Sequence, residues 1–420
     1  MYKVTELPNG VRVATCEMPH MESVSVGVWV GVGGRYETKA NCGISHFIEH
    51  MLFKGTRRRS AKEISQAVEG VGGYVNAFTG EEATCFYAKA SHRHLGILLD
   101  VLADMYQHSR FTVADIEKER TVIKEELLMY RDQPQQYVHE LLTQTLWPKH
   151  PLGYPVAGTP QSLDGLTRTE VLAFKQSRYL AANTVISVAG HCTHDDIVQR
   201  VGALWRLDRT GAAPRFVAAR DRQIGPQLHF FTKNVEQTNL AIGIRGYSRR
   251  DPRRYALKLL SVVLGENMSS RLFQIVREER GLAYSIQTSP SFFSDTGVVV
   301  VSAGLDAKHL TPVLRLVLRE LRRVGRQRLA EVELQRAKDY ALGQMRLGLE
   351  STTNQMMWIG EHLLAYGFVE HPDEIEKRIH MITTEEVKDV AADIFRDQNL
   401  NAAVITAGKN EAEVRAALHL

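Results

Sequence analysis

Residues 24–32, "VSVGVWVGV", carry valines at Val26, Val28, Val30 and Val32, separated by small residues and Trp29. A period of two predicts a β-strand with one buried face, because successive side chains of a strand point to opposite sides of its sheet. About 214 residues later, "TNLAIGIRGY" at 238–247 shows the same alternation of large aliphatic residues. The two stretches indicate an internal repeat, which is the first clue to the fold.

The repeat extends over most of the chain. A strand followed by a helix is predicted at 83–106 and again at 297–321, with leucines and valines at helical spacing in both. The helical segment 115–130 corresponds to 331–346, and the strand and helix of 183–205 correspond to 401–418. We therefore predict an α+β fold of two homologous domains, each with a mostly antiparallel sheet and helices packed on one face.

The domain boundaries follow from the repeat and from composition. We expect an N-terminal domain at 1–210 and a C-terminal domain at 225–420. The segment 211–224 between them is rich in Gly, Pro, Ala and Arg without clean periodicity, as is typical of a linker. The N-terminus itself predicts two strands joined by a turn at Pro8-Asn9-Gly10.

Composition excludes several classes of function. The chain has 420 residues and a formal net charge of +4, so charge alone gives no argument for nucleic acid. No run of eighteen apolar residues is present, so we expect no membrane span, and the absence of a secretory signal favours the cytoplasm. The four cysteines are widely spaced, as expected for reduced thiols.

A polar trio stands out in "GISHFIEHMLFKGT", residues 43–56. At 100° per residue the large apolar side chains form one stripe of a helix, and His46, Glu49 and His50 fall together on the opposite face. The trio is either a solvated face or two metal ligands and a base. Histidines four residues apart can share one Zn²⁺, and an adjacent carboxylate can take a proton from its water. HxxEH is the inverse of the HExxH zinc signature.

A catalytic zinc needs a third protein ligand, and the helix predicted at 113–131 offers candidates. Glu119 and Glu126 lie seven residues apart on one face, at the margin of the apolar stripe, whereas Glu125 points away towards solvent. A carboxylate at the edge of a core needs a partner, because burying it unpaired is costly. The alternative is a salt bridge to Arg120 or Lys124.

The repeat helps to choose between these readings. Where the second half corresponds to the trio, it reads "LKLLSVVLGE" at 257–266, and the trio of two histidines and a glutamate is absent. The positions that correspond to Glu119 and Glu126 are Gln335 and Leu342. Histidines and carboxylates are therefore absent together, and the fold does not require them. This favours the metal hypothesis.

The sequence resembles the pitrilysin family of inverzincin metallopeptidases, and most closely the branch with the mitochondrial processing peptidase and its short bacterial relatives. The similarity covers essentially the full length, with "HFIEHMLFKGT", "GGYVNAFTGEEATCFYA", "ERTVIKEE", "HPLGYPVAGT" and "REERGLAY" in the family's order. The resemblance implies that His46, His50 and Glu126 bind one zinc per chain. It also implies that Glu49 is the general base and that Glu119 supports catalysis from beside the site.

The resemblance has further implications for substrate binding. "VNAFT", from Val75 to Thr79, would be an exposed edge strand to which a peptide adds, held at Asn76 and Ala77. Arg277 and Tyr284 would bind the substrate backbone, with Tyr284 also stabilising the oxyanion.

Together these features predict a zinc metalloendopeptidase that cleaves unfolded peptides or extended segments inside a chamber. One chain carries both the histidine trio and the Arg…Tyr pair, so a clam-shaped homodimer is the economical expectation. The alternative is a non-catalytic structural or peptide-binding subunit of the same fold. Such subunits typically lack the metal ligands, which are intact here.

Overall fold

The structure is a computed structural model that describes residues 2–207, 211, 214–220 and 222–420. The predicted linker at 211–224 lies partly outside the described residues, at positions 212, 213 and 221. The strands are β1 (Tyr2–Glu6), β2 (Arg12–Glu17), β3 (Ser23–Val30), β4 (Tyr74–Thr79), β5 (Thr84–Ser91), β6 (Thr184–Gly190), β7 (Gln227–Thr232), β8 (Thr238–Gly246), β9 (Ser285–Phe292), β10 (Gly297–Leu305) and β11 (Leu400–Thr406).

The helices occupy most of the segments between the strands. They are α1 (Ile44–Leu52), α2 (Ala61–Glu69), α3 (Leu95–His108), α4 (Val113–Arg131), α5 (Pro134–Leu146), α6 (Pro160–Gly165), α7 (Arg168–Arg178), α8 (His194–Leu204), α9 (Arg254–Gly265), α10 (Leu310–Arg326), α11 (Glu331–Gly348), α12 (Thr352–Tyr366), α13 (Pro372–Met381), α14 (Thr384–Ile394) and α15 (Glu411–Ala417). A π-helical segment covers Phe273–Glu278. Short 3-10 turns lie at Gly34–Tyr36, His92–His94, Pro151–Gly153, Ala181–Asn183, Ala307–His309 and Asp397–Asn399.

The five strands of the second sheet repeat the order of five strands of the first, which has β1 as an additional edge strand, and this confirms the internal repeat. The first has the order β1-β2-β6-β3-β5-β4 and the second the order β7-β11-β8-β10-β9. In each sheet one pair is parallel, β2 with β6 and β7 with β11, and the other neighbours are antiparallel. The strand predicted from the valine alternation is β3, the centre of the first sheet, and its counterpart is β8. The α+β fold with two mostly antiparallel sheets is therefore confirmed.

The chain forms two compact units, and each is discontinuous in sequence. Unit 1 consists of Met1–Leu127, Tyr154–Val217 and Arg346–His371, and unit 2 consists of Leu128–Gly153, Ala218–Met345 and Pro372–Leu420. Each unit thus takes one helix from the other half of the sequence: α12 belongs to unit 1 and α5 to unit 2. The predicted domain boundaries at 210 and 225 stay a prediction about the sequence repeat. They do not describe the assignment of α5 to unit 2 and of α12 to unit 1.

In unit 1 most helices lie on one face of the sheet, as predicted, and α12 covers the other face. The inward side chains of β3, such as Val26 and Val28, share a core with residues of α1, α2, α3, α4, α7 and α8. Alternate residues such as Trp29 contact Met356 and Ile359 of α12 instead. Both faces of the strand are therefore buried, which explains why small residues occupy the positions between the valines.

Unit 2 repeats this arrangement with α5 in the place of α12. Leu142 and Leu146 of α5 pack against Ala241 of β8 and Ala403 of β11. Gly243 of β8 faces α5 as well, because a Cβ atom built there would lie 3.0 Å from both leucines. No helix in the described part of the chain is long and apolar enough to cross a membrane.

The close approach of α12 to the first sheet gives a stability test. A Cβ atom at Gly360 would lie 2.0 Å from Trp29 Nε1, which donates a hydrogen bond to Ser187 Oγ at 2.9 Å. Gly360→Ala should therefore lower the free energy of unfolding by about 1–3 kcal/mol, although alanine favours helices. Urea denaturation measures the change.

The matched control is Gly202→Ala in α8, where nothing lies within 4 Å of the added methyl group. This variant should be stabilised by about 0.5–1 kcal/mol, because alanine restricts the unfolded chain more than glycine does. An equal effect of both substitutions would show that α12 does not pack on Trp29 as described.

Candidate metal centre

Helix α1 presents the polar trio as the sequence predicts. Its apolar stripe, which includes Phe47 and Ile48, is buried in the core of unit 1. His46 and His50 lie on the opposite face with side chains 17% and 16% exposed, and their ring centroids are 4.6 Å apart. The trio is thus neither a fully solvated face nor part of the core, because it lies in a partly enclosed position.

The carboxylate of Glu126 on α4 meets both imidazoles. Its Oε2 atom is 3.5 Å from His50 Nε2 and 4.0 Å from His46 Nε2. One ligand atom from each of the three residues lies within 4.8 Å of the others, and this is the one group of at least three potential metal ligands among the described residues. A tetrahedral ion with bonds of about 2.0–2.2 Å holds its ligand atoms about 3.4 Å apart. Two imidazoles and a carboxylate form a donor set used by catalytic zinc sites, so these residues fit a zinc ion.

The environment keeps His46 in the form that binds metals. Burial, and then the charge of His50, lower the pKa of the His46 imidazole to about 4. At neutral pH the ring is therefore uncharged and carries a lone pair for a cation. Within the described part of the chain, the buried Nδ1 atom of His46 has no hydrogen-bond partner.

Glu119 lies beside the trio and is completely buried. Its Oε2 atom is 3.2 Å from His50 Nδ1, and its Oε1 atom forms an ion pair with Lys54 Nζ at 2.8 Å. When the Glu119 carboxylate accepts a hydrogen bond from His50 Nδ1–H, the lone pair of the ring lies on Nε2, on the side of Glu126. A carboxylate that accepts this hydrogen bond is a common partner of metal-binding histidines. The alternative that Glu119 or Glu126 pairs with Arg120 or Lys124 does not hold. Those cations form ion pairs with Glu117 and Asp164 instead.

Glu49 is held by the neighbouring strand. Thr79 Oγ1, at the end of β4, donates a hydrogen bond to Glu49 Oε2 at 2.5 Å. Burial raises the pKa of the Glu49 carboxyl, whereas the Thr79 hydrogen bond and the charge of His50 lower it, and the net shift is upward. A carboxyl with a raised pKa is a better proton acceptor at neutral pH than an ordinary one. Glu125, by contrast, is exposed, as predicted.

Strand β4 is an edge strand, as predicted. It pairs with β5 on one side alone, and its residues alternate between exposed and half-buried. Asn76 and Ala77 lie in its middle, where Asn76 Oδ1 accepts a hydrogen bond from the Ala77 N–H at 2.8 Å. An extended peptide can pair with backbone groups of such an edge.

Arg277 and Tyr284 belong to unit 2. Arg277 lies near the end of the π-helical segment, with its guanidinium carbon 4.8 Å from the centre of the Phe273 ring. Gly281, with φ of +60°, lies two residues after Glu279, the C-cap of this segment, and Tyr284 directly precedes β9 and is 59% exposed. Both side chains are accessible, Arg277 at 46% exposure.

Sequence reasoning missed two residues that hold the trio, namely Thr79 and Lys54. Thr79 belongs to the predicted edge strand, but nothing in a strand pattern says which helix its hydroxyl will meet. Lys54 follows the end of α1, so helical periodicity does not place it. Helical spacing also predicts that Tyr130 lies on the apolar stripe of α4, and this is wrong, because Tyr130 is 44% exposed.

Comparison with known protein families gives two adjacent matches within residues 12–340. Residues 12–160 match the family described as "Insulinase (Peptidase family M16)", and residues 165–340 match the family described as "Peptidase M16 inactive domain". The second description agrees with the absence of the polar trio from the second repeat.

Several curated relatives are similar over nearly their whole length. The uncharacterized zinc protease YmxG of Bacillus subtilis is 36% identical over 97% of this chain and 99% of its own. An uncharacterized zinc protease of Mycobacterium bovis is 38% identical over 96% of this chain and 92% of its own. An uncharacterized zinc protease of Rickettsia felis is 33% identical over 96% of this chain and 97% of its own.

Two solved structures share the fold. A protease from Helicobacter pylori superimposes with a TM-score of 0.90 at 21% identity, over 97% of this chain and 99% of its own. A peptidase M16 inactive domain from Pseudomonas fluorescens gives a TM-score of 0.90 at 17% identity, over 97% of this chain and 98% of its own. The match of both repeats to the family, together with relatives above 30% identity over almost the full length, establishes that this chain belongs to peptidase family M16, the insulinase family.

Proposed function

We propose that this chain is a zinc metalloendopeptidase, with a single zinc held by His46, His50 and Glu126. The observation that carries the proposal is the meeting of two imidazoles from α1 and one carboxylate from α4, in a chain whose family relatives are named zinc proteases. Zinc, when bound, polarises a carbonyl group and lowers the pKa of a coordinated water to about 7.

The protein groups around this site divide the remaining work. Glu49 takes the proton of the attacking water and later delivers it to the leaving amine, since its raised pKa suits a group that both accepts and donates. Glu119 keeps His50 in one tautomer and one orientation, so its part in catalysis is exerted through His50. Thr79 holds the Glu49 carboxylate in place.

Substrate binding is assigned to the edge of β4 and to the exposed pair of unit 2. A peptide in an extended conformation adds to β4 at Asn76 and Ala77, and backbone pairing tolerates many side chains. This mode selects unfolded peptides or extended segments, because their backbone amides and carbonyls are not already paired within a fold. We assign Arg277 to the substrate backbone and Tyr284 to the backbone and the oxyanion, in keeping with the resemblance described above.

Assembly and location form a further part of the proposal. We propose a homodimer that encloses the substrate in a chamber and acts in the cytoplasm. One chain carries both the proposed metal ligands and the Arg…Tyr pair, so no second kind of subunit is needed. Analytical ultracentrifugation of the purified chain tests the dimer, and a monomer at all concentrations would contradict it.

The zinc ligands can be tested without substrate. Glu126→Gln removes the negative ligand, so zinc affinity measured by competition with a chromophoric chelator should fall by at least about 100-fold. The matched control is Glu125→Gln, which changes the exposed neighbouring carboxylate and should leave the affinity unchanged. If both variants bind zinc as the wild type does, Glu126 is not a ligand.

Turnover is tested with Glu49→Gln. The variant should bind one zinc per chain and cleave a quenched peptide about 100- to 10,000-fold more slowly, because it lacks the general base. Wild-type protein with zinc but without cleavage would favour a peptide-binding subunit, and wild-type protein without stoichiometric zinc would favour a structural one. Mass spectrometry of products from a mixed peptide pool then defines the substrates.

The pH dependence of kcat/KM tests the contact of Glu49 with Thr79. The active form requires ionised Glu49, so the acidic limb follows the pKa of this carboxyl, which burial raises above its ordinary 4.5. Thr79→Val removes a hydrogen bond that lowers this pKa, so the acidic limb should move to higher pH. Thr79→Ser keeps the hydroxyl and should retain the wild-type limb. A valine variant with the wild-type limb would contradict the assignment of Glu49 as the base.

A further inference from the structure

The N-terminus of α1 has no cap of its own. The residue before the helix is Gly43, whose φ is +93°, and the first turn contains no acidic side chain. A Cβ atom at this position would lie 2.7 Å from Gly158 Cα, so a side chain cannot be accommodated there. The first amides of a helix nevertheless need acceptors, because they have no partner within the helix.

Glu37, six residues before Gly43 in sequence, supplies the missing cap. Its Oε2 atom accepts a hydrogen bond from the Gly43 N–H at 2.6 Å, and its Oε1 atom accepts one from the Ser45 N–H at 2.8 Å. The amide between them, that of Ile44, donates to the Asn41 carbonyl at 3.1 Å. Both carboxyl oxygens of Glu37 are therefore engaged at the start of the helix that carries the histidines.

Glu37 is 3% exposed, so this arrangement has a cost in free energy. Burial raises the pKa of the Glu37 carboxyl to about 8, and the hydrogen bonds from Ser45 and Gly43 oppose that shift. A surface serine or aspartate is the usual cap of a helix and avoids most of this cost. A buried glutamate at this place instead attaches the start of the helix to the protein interior.

The turn that carries Glu37 is anchored to the hairpin formed by β4 and β5. Gly34 N–H donates to the Gly80 carbonyl at 3.1 Å, and Arg35 N–H donates to the Glu81 carbonyl at 2.8 Å. The buried Arg35 side chain also forms an ion pair with Glu82 at 2.5 Å. The segment before α1 and the tip of this hairpin are thus one hydrogen-bonded unit.

Helix α1 is consequently tied to the same hairpin at two places. Glu37 connects its first turn to the hairpin tip, and Thr79 at the end of β4 holds Glu49 further along the helix. His46 directly follows Ser45, so its direction depends on the first turn that Glu37 fixes. Strand β4, the proposed peptide-binding edge, and helix α1, which carries the histidines, are therefore held in a fixed position relative to each other.

We propose that Glu37 is a positioning residue of the metal centre, which sets the first turn of α1 and with it the direction of the His46 imidazole relative to β4. This inference rests on the proposed function, because it requires that His46 binds a metal. Glu37 touches neither the metal ligands nor the substrate edge, and it acts through the backbone of Gly43 and Ser45.

The test measures metal binding rather than activity. Glu37→Ala removes both hydrogen bonds, whereas Glu37→Gln keeps the side-chain volume and one acceptor oxygen. Zinc affinity by chelator competition should fall about 10-fold in the alanine variant and less in the glutamine variant. The visible absorption spectrum of the cobalt(II)-substituted protein reports ligand geometry, so it should change more in the alanine variant than in the glutamine variant.

The matched control is Thr383→Ala, which removes the side-chain cap of α14 in unit 2. It should lower the melting temperature, because α14 loses its N-terminal cap, and leave zinc affinity and the cobalt spectrum as in wild type. Far-UV circular dichroism verifies that each variant is folded. If the Glu37→Ala variant does not fold, the Glu37→Gln variant provides the test.

The outcomes separate this inference from the proposed function. Folded Glu37 variants with wild-type zinc affinity and an unchanged cobalt spectrum would overturn the positioning role while leaving the metal centre intact. Wild-type protein that binds neither zinc nor cobalt would overturn the metal centre itself, and the positioning role with it.

Discussion

The proposed chemistry depends on one contact between helices: the carboxylate of α4 must stay beside the imidazoles of α1. Glu119 explains how this is achieved, because its buried carboxylate contacts His50 and Lys54. A buried carboxylate without such partners would be strongly destabilising, so the pairing holds α4 against α1. Glu126 follows Glu119 by seven residues, about two helical turns, and therefore projects from the same face about 10 Å further along. The anchor thus determines where the third ligand lies.

The second repeat shows what the fold needs without this chemistry. Five strands of the first sheet share their order and direction with the five strands of the second, and α9 and α11 of unit 2 correspond to α1 and α4 of unit 1. In α9 nearly every position is buried and apolar, and Leu342 of α11 is buried where Glu126 stands in the first repeat. Apolar side chains serve the architecture equally well. The architecture therefore does not require the polar cluster of unit 1, and this agrees with the description of the second family region as inactive.

Much of the fold could be predicted from sequence because its signals are local or repeated. The alternation of Val26 and Val28 identifies β3, the helical stripe around Phe47 identifies α1, and the repeat relates the two sheets. The distinction between Glu126 and the exposed Glu125 also follows from helical geometry alone. These predictions succeed because burial imposes a period on the sequence.

The remaining features depend on contacts between distant segments, which leave no period. The assignment of α5 to unit 2 and of α12 to unit 1 arises because Leu142 and Met356 each cover the second face of a sheet from the other half of the sequence. Glu37 stands outside every standard capping position, so only the folded backbone reveals that it caps α1. Thr79 gives no signal of its contact with Glu49 for the same reason.

The central claim is that three side chains from two helices bind one zinc ion. Anomalous diffraction at the zinc absorption edge, from crystals of the zinc-loaded protein, tests it most directly. The account predicts one strong peak per chain, about 2.0–2.2 Å from a nitrogen of His46, a nitrogen of His50 and an oxygen of Glu126. A peak at other residues, or zinc-loaded crystals with no peak beside α1, would contradict it.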